Sequence, residues 1–128
     1  MSLIKFNAPM YIELGKKKPK KIPMNMNWYR NAHFRTNAAV KKLFKEQLRL
    51  DFYQITAPVK ITYTFYYQSN RRQDIGNSLA VVSKFTEDAL VDFGVLKDDD
   101  YNNVVKVVGI FGGIDKDNPR CEVVVEEV

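Results

Sequence analysis

A chain of 128 residues, 45% hydrophobic and 27% charged, can bury one domain's core, which excludes a disordered or fibrous chain. A formal net charge of +5 favours an anionic partner, nucleic acid first among them. The single cysteine, Cys121, excludes an intrachain disulfide or a cysteine-built zinc site, and no apolar run nears the roughly 20 residues of a membrane span.

No basic-then-apolar signal segment opens the chain, so it is expected to stay in the cytoplasm. Residues 3–14 (LIKFNAPMYIEL) predict a strand interrupted by Pro9. Residues 15–23 (GKKKPKKIP) hold five lysines, a glycine and two prolines, and predict a basic loop or arm rather than an ordered core element. Such an arm is either simply solvated or touches a phosphate backbone. Residues 24–37 mix aromatics with Arg30, His33 and Arg35. Helical periodicity begins near Asn37, with Val40, Leu43, Phe44 and Leu48 inward and Lys41, Lys42, Lys45 and Arg49 outward. Residues 59–67 (VKITYTFYY) alternate as a strand. A second helix is expected over residues 76–93, started by Asn77 and stopped by Gly94. Residues 104–111 predict a strand, Gly112-Gly113 a turn that runs on through DKDNP, and residues 121–128 a last strand that buries an inert Cys121 thiol. The order β-α-β-α-β-β implies one α+β domain over residues 1–128, a mixed sheet with two helices packed on it.

Acidic residues crowd into one stretch, from Asp74 through Asp88 to Asp98, Asp99 and Asp100. Carboxylates that repel one another are gathered either by a hard divalent cation or in a solvated loop. On a helical wheel Asn77, Lys84 and Asp88 fall within about 40° of one another. A turn after Gly94 is expected to fold the later acids back, so that Asp74, Asp88 and Asp99 surround one cation. Such a site suits phosphodiester hydrolysis: the metal activates water and polarises the phosphoryl group, and Lys84 neutralises developing charge. The plainer alternative is a Lys84–Asp88 ion pair, worth a few tenths of a kcal/mol, beside a solvated acidic turn.

The ordered segments RRQDIGN, KFTEDAL, Gly94 and KDDD resemble the RusA-like Holliday junction resolvases, small endonucleases common in phages and prophages. NWYRNAHFRTNAAVKK, from Asn27 to Lys42, is similar to that family's early Asn-Tyr-Arg-rich stretch. The resemblance covers most of the chain. It implies a RusA-like fold and a Mg²⁺-dependent endonuclease, with Mn²⁺ as a substitute, resolving four-way DNA junctions in a bacterial host cell. It implies Asp74 as the first metal-binding acid, Asn77 as the asparagine closing the motif and Lys84 as the catalytic lysine. It implies Asp88 as the acid one turn later and Asp99, supported by Asp98, as the later metal ligand, with Asp100 leaving that register open by one. The family's second motif acid falls on Gly76, which offers no side-chain oxygen. Either a neighbouring acid compensates, or this copy is weakened or only binds junctions, or the glycine was introduced.

Lys16, Lys17, Lys18, Lys20, Lys21, Arg30, Arg35, Arg71 and Arg72 are candidates for phosphate contact, which gives affinity and salt dependence rather than sequence readout. Trp28, Tyr29 and Phe34 are either core residues or stacking platforms for unpaired bases. His33, the lone histidine, is more simply structural than an acid–base group. A four-way junction is nearly two-fold symmetric, so a homodimer is expected, with Tyr63, Phe65 and Tyr67 or a helix face as its apolar surface.

Overall fold

In the computed structural model, which describes residues 3–128, the N-terminal run splits at Pro9. Proline has no N–H to give a ladder, so β1 (Leu3–Ala8) ends before it and β2 (Tyr11–Leu14) belongs to another sheet. The expected lysine arm is a β-hairpin instead. Its far side is β3 (Lys20–Pro23), paired antiparallel with β2, and Ile12 and Ile22 face each other fully buried. The reading of residues 15–23 as outside the ordered core fails because one apolar residue, Ile22, anchors the lysine-rich return strand.

Two helices follow where one was expected. Asn25 caps α1 (Met26–Asn31) by accepting from the Trp28 N–H at 3.0 Å. His33 caps α2 (Phe34–Leu48), its Nδ1 accepting from the Arg35 N–H at 3.2 Å. The lone histidine therefore has a structural task. Then come β4 (Val59–Tyr67), α3 (Ile75–Asp92), β5 (Val104–Ile114) and β6 (Arg120–Glu127). β5 runs on through Gly112-Gly113, where a turn was expected.

The main sheet has the order β1-β6-β4-β5, with β4 and β5 parallel and the other pairs antiparallel. Strict alternation in β4 buries Val59, Ile61, Tyr63, Phe65 and Tyr67 and leaves their neighbours half-exposed, so the helices cover one face. Val40, Phe44 and Leu48 of α2 and Val81, Val82, Phe85 and Ala89 of α3 complete that core. Burial of Phe44 or Phe85 contributes about 1.5–3 kcal/mol each. The suggestion that Tyr63, Phe65 and Tyr67 form a dimer surface is overturned, because β4 is an interior strand and these side chains point under the helices. Cys121 is buried as expected, and burial pushes its thiol far above the ordinary range.

The parallel β4–β5 pair requires a crossover, and α3 is that crossover. It lies close enough to β5 that a Cβ on Gly109 would meet Leu79 at 2.9 Å and Ile75 at 3.2 Å. Its C-terminus closes with Gly94 at φ +77, where the Gly94 N–H donates to Val91 and the Val95 N–H to Leu90. Among the described residues no helix is long and apolar enough to cross a membrane.

Candidate metal and nucleic-acid site

Asp74 sits at the N-terminus of α3 and caps it. Its Oδ1 accepts from the Gly76 N–H at 2.9 Å, and its carbonyl accepts from Asn77 and Ser78. The cap satisfies donors the helix leaves unpaired and is worth about 1 kcal/mol. A Cβ added at Gly76 would meet only Asp74 Oδ1, at 3.4 Å, so this position has room for a side chain. Asn77 turns inward, and its Oδ1 accepts from the Met26 N–H at 2.7 Å. That bond ties the start of α1 to the first turn of α3.

Lys21, Arg71 and Arg72 lie at the loop that leads into this end, and the other candidate basic residues are spread over the surface. The Lys21 ammonium donates to Gln68 at 2.8 Å and lies 4.3 Å from the Tyr11 ring centroid, which seats the hairpin beside the 68–74 loop. Lys16, Lys17, Lys18 and Lys20 are exposed along that hairpin. Arg71 and Arg72 border a crevice of about 240 Å³ with Tyr67, Phe111 and Ile114. Arg30 is exposed on α1, and Arg35 lies over the exposed Phe34 ring on α2. Trp28 and Tyr29 pack against the core, Tyr29 edge-on to Phe85 at 6.0 Å. Phe34 is the one of these three aromatics left mostly exposed, at 71%.

The other acids stand at the opposite end of α3. Fourteen helical residues separate Asp74 from Asp88, a rise of about 21 Å. The turn after Gly94 therefore cannot fold Asp99 and Asp88 back to Asp74 within one chain. The loop is instead fastened at the far end, where the Ile55 N–H donates to Val95 at 2.8 Å and Leu96 is buried. Asp88, Asp92 and Asp99 line a cleft of about 240 Å³ with Lys41 and Val91. Asp88 pairs with Lys41 of α2 at 2.7 Å rather than with Lys84, and Asp92 pairs with Lys45 at 3.2 Å. These lysines offset negative charge at a helix C-terminus, where the macrodipole opposes it. Lys84 is exposed one turn before Asp88 and about 15 Å along the axis from Asp74.

The three successive aspartates do different things. Asp98 Oδ1 accepts from the Asp99 N–H at 2.8 Å. Asp100 accepts from Asn103 Nδ2 at 2.7 Å and from the Asn102 N–H, and these bonds, the Asn103 side chain first, hold its carboxyl below the usual range. Asp100 is thus a turn residue leading into β5. Asp99 is pushed up by partial burial of its carboxyl first, then by Asp98 and Asp88, although most of its surface is exposed.

Glu87, which the sequence did not single out, joins this group. Its carboxylate accepts from the buried Tyr63 hydroxyl at 2.8 Å. Burial raises its pKa, Asp99 and Asp88 add to the rise, and the tyrosine bond pulls the other way. A signal existed: Tyr63 occupies an inward position of β4, and a buried tyrosine hydroxyl needs a partner. Among the described residues no group of three or more His, Cys, Asp or Glu side chains is arranged to hold a metal ion. No protein-family model matches this chain, and no curated protein sequence matches it.

Proposed function

We propose that this chain is a structure-selective endonuclease that cuts four-way DNA junctions by metal-assisted phosphodiester hydrolysis, acting as a homodimer with a RusA-like fold. The observation that carries the reading is one ordered series. RRQDIGN, KFTEDAL, Gly94 and KDDD fall on a single helix and its flanking loops, with Arg71, Arg72 and the lysine hairpin at the Asp74 end. Basic groups beside one carboxylate suit a scissile phosphate and its neighbours.

The donor set of one chain does not fit a shared metal, because Asp74 and Asp99 lie at opposite ends of a helix about 27 Å long. In this reading the two acids come from different copies, and Mg²⁺ or Mn²⁺ binds only when two chains associate. Phage or prophage origin and action in the bacterial cytoplasm belong to the same proposal.

A second reading, junction binding without cleavage, is favoured by Gly76, which leaves Asp74 as the only acid at its end of the motif, already engaged as a cap. The experiment is cleavage of a labelled synthetic four-way junction in Mg²⁺ by the native chain, Asp99→Asn and Gly76→Asp. Cutting by the native chain, lost in Asp99→Asn, supports the nuclease. Binding with cleavage only in Gly76→Asp supports the silent binder. Neither binding nor cutting by any of the three would sink both.

A further inference from the structure

Three aromatic rings lie nearly parallel at the Asp74 end of the main sheet. Phe65 stacks on Tyr67 with centroids 6.1 Å apart and planes 21° apart, and Tyr67 stacks on Phe111 at 6.2 Å and 24°. Phe65 and Tyr67 are buried, and the Tyr67 hydroxyl donates to Ser78 at 3.1 Å, which fixes its ring. Phe111 ends the series and is 55% exposed. It walls the crevice of about 240 Å³, with Ile75 and Ile114 on the apolar side and Arg71 and Arg72 at the border. Among the described residues neither of these guanidiniums has an ion-pair partner, whereas Arg120 is held by both Asp115 and Glu122. An open aromatic ring beside two unpaired cations suits a ligand with a flat face and a negative charge.

We infer that this crevice takes the base of one unpaired nucleotide of a DNA strand, stacked on Phe111, with the flanking phosphates on Arg71 and Arg72. The inference rests on the reading of DNA as the substrate and adds where a base of it is held. In a duplex each base already has neighbours on both faces, so only an unpaired or extruded base can offer a face to the ring. The crevice is smaller than the roughly 300–1,000 Å³ pockets that enclose free small molecules. A single base fits it, with the rest of the strand running outside over the arginines. A second copy of this chain suits it less, because a two-fold contact here brings the same unpaired guanidiniums together. Gln73 and Ile75 of the crevice flank Asp74 in sequence, so a base seated there holds its strand beside the candidate metal-binding acid. Stacking on a ring tolerates any base, so the crevice contributes grip and position rather than sequence readout.

The test is fluorescence anisotropy of a labelled oligothymidylate strand with the full chain, in EDTA, over a salt series. Phe111→Ala should weaken binding about 5- to 150-fold and leave the salt slope unchanged, and Phe111→Trp should restore it. Arg71→Gln/Arg72→Gln should instead flatten the plot of log K against log salt by about 0.7 for each phosphate no longer neutralised. Tyr101→Ala, which removes an exposed ring beyond the other end of α3, should bind as the native chain does. The native chain gives a second reading that holds even if Phe111→Ala does not fold. An iodouracil base in the strand should photocrosslink to the tryptic peptide of residues 107–116, which contains Phe111. Equal binding by the native chain and a folded Phe111→Ala, or crosslinks only to other peptides, such as the one bearing Phe34, would overturn the inference. So would a native chain that binds no single strand, or displacement of the strand by an equal concentration of thymidine monophosphate, the mark of a free-nucleotide site. A Phe111→Ala variant that turns a dimer into a monomer with strand binding unchanged would assign the crevice to a second copy and overturn it too. A chain that grips single strands through Phe111 and cuts no junction fails only the nuclease reading. One that cuts junctions while Phe111→Ala binds strands as before fails only the crevice.

Discussion

The two ends of α3 use their carboxylates in opposite ways. At the N-terminus Asp74 faces a helix end that favours negative charge, with Arg71 and Arg72 in the loop before it and Lys21 of the hairpin bonded to Gln68 of that loop. At the C-terminus Glu87, Asp88, Asp92 and Asp99 gather where the helix dipole disfavours them. They are tolerated there by Lys41, Lys45 and the Tyr63 hydroxyl. Acids close in sequence order therefore need not form one site. A helix of 18 residues turns a cluster in the sequence into two poles in space, one suited to anions and one crowded with them.

The largest expected effect tests the basic pole. Replacing Lys16, Lys17 and Lys18 together by Gln should flatten the plot of log K against log salt for junction binding by about 0.9 for each phosphate no longer neutralised, close to 3 if all three lysines reach phosphates. Fluorescence anisotropy over a salt series measures it. Lys41→Gln, at the acidic pole, should leave the slope alone, and an equal change in both variants would erase the distinction between the ends.

At the acidic pole, Tyr63→Phe removes the hydrogen bond to a largely buried carboxylate and should cost about 1–3 kcal/mol of unfolding free energy in denaturant titration. Glu87 and Asp99 both hold protons more tightly in the fold than in the unfolded chain. Their contribution is therefore full below the unfolded values, near 4.5 and 3.8, and is lost as pH rises through the raised folded values. Glu87→Gln should flatten that decline and raise the melting temperature at neutral pH. A melting curve series that keeps the same pH slope in the variant would remove Glu87 from the account.

Gly76 gives a smaller effect of opposite sign. It lies in the first turn of α3 with room for a side chain, so Gly76→Ala should stabilise by about 0.5–1 kcal/mol. Lys41→Gln should cost less, about 0.2–1 kcal/mol, because the Lys41–Asp88 pair is only partly buried. Thermal melts read both. Destabilisation by Gly76→Ala would mean that the first turn of α3 requires glycine.

Local patterns carried much of the fold. Alternation in residues 59–67 identified the central strand, and apolar spacing with Gly94 bounded α3 to within a residue at each end. The hairpin at residues 11–23 was hidden because composition, dominated by lysine, outweighed the single inward Ile22. The distance between Asp74 and Asp99 was legible too, since a helix rises by a fixed amount per residue. The expected fold-back overlooked that rise.

The sequence by itself determined the strand at residues 59–67 and the long helices α2 and α3, which face of each is apolar, and how far α3 separates its ends. These follow from backbone periodicity and helix geometry, which act over a few residues. Only the tertiary structure decided that Lys41 rather than Lys84 takes Asp88, that Glu87 meets Tyr63, and that β5 rather than β4 forms an exposed edge. Strand order and cross-element pairing depend on contacts between segments tens of residues apart, and no local pattern encodes which strand a given strand will lie beside.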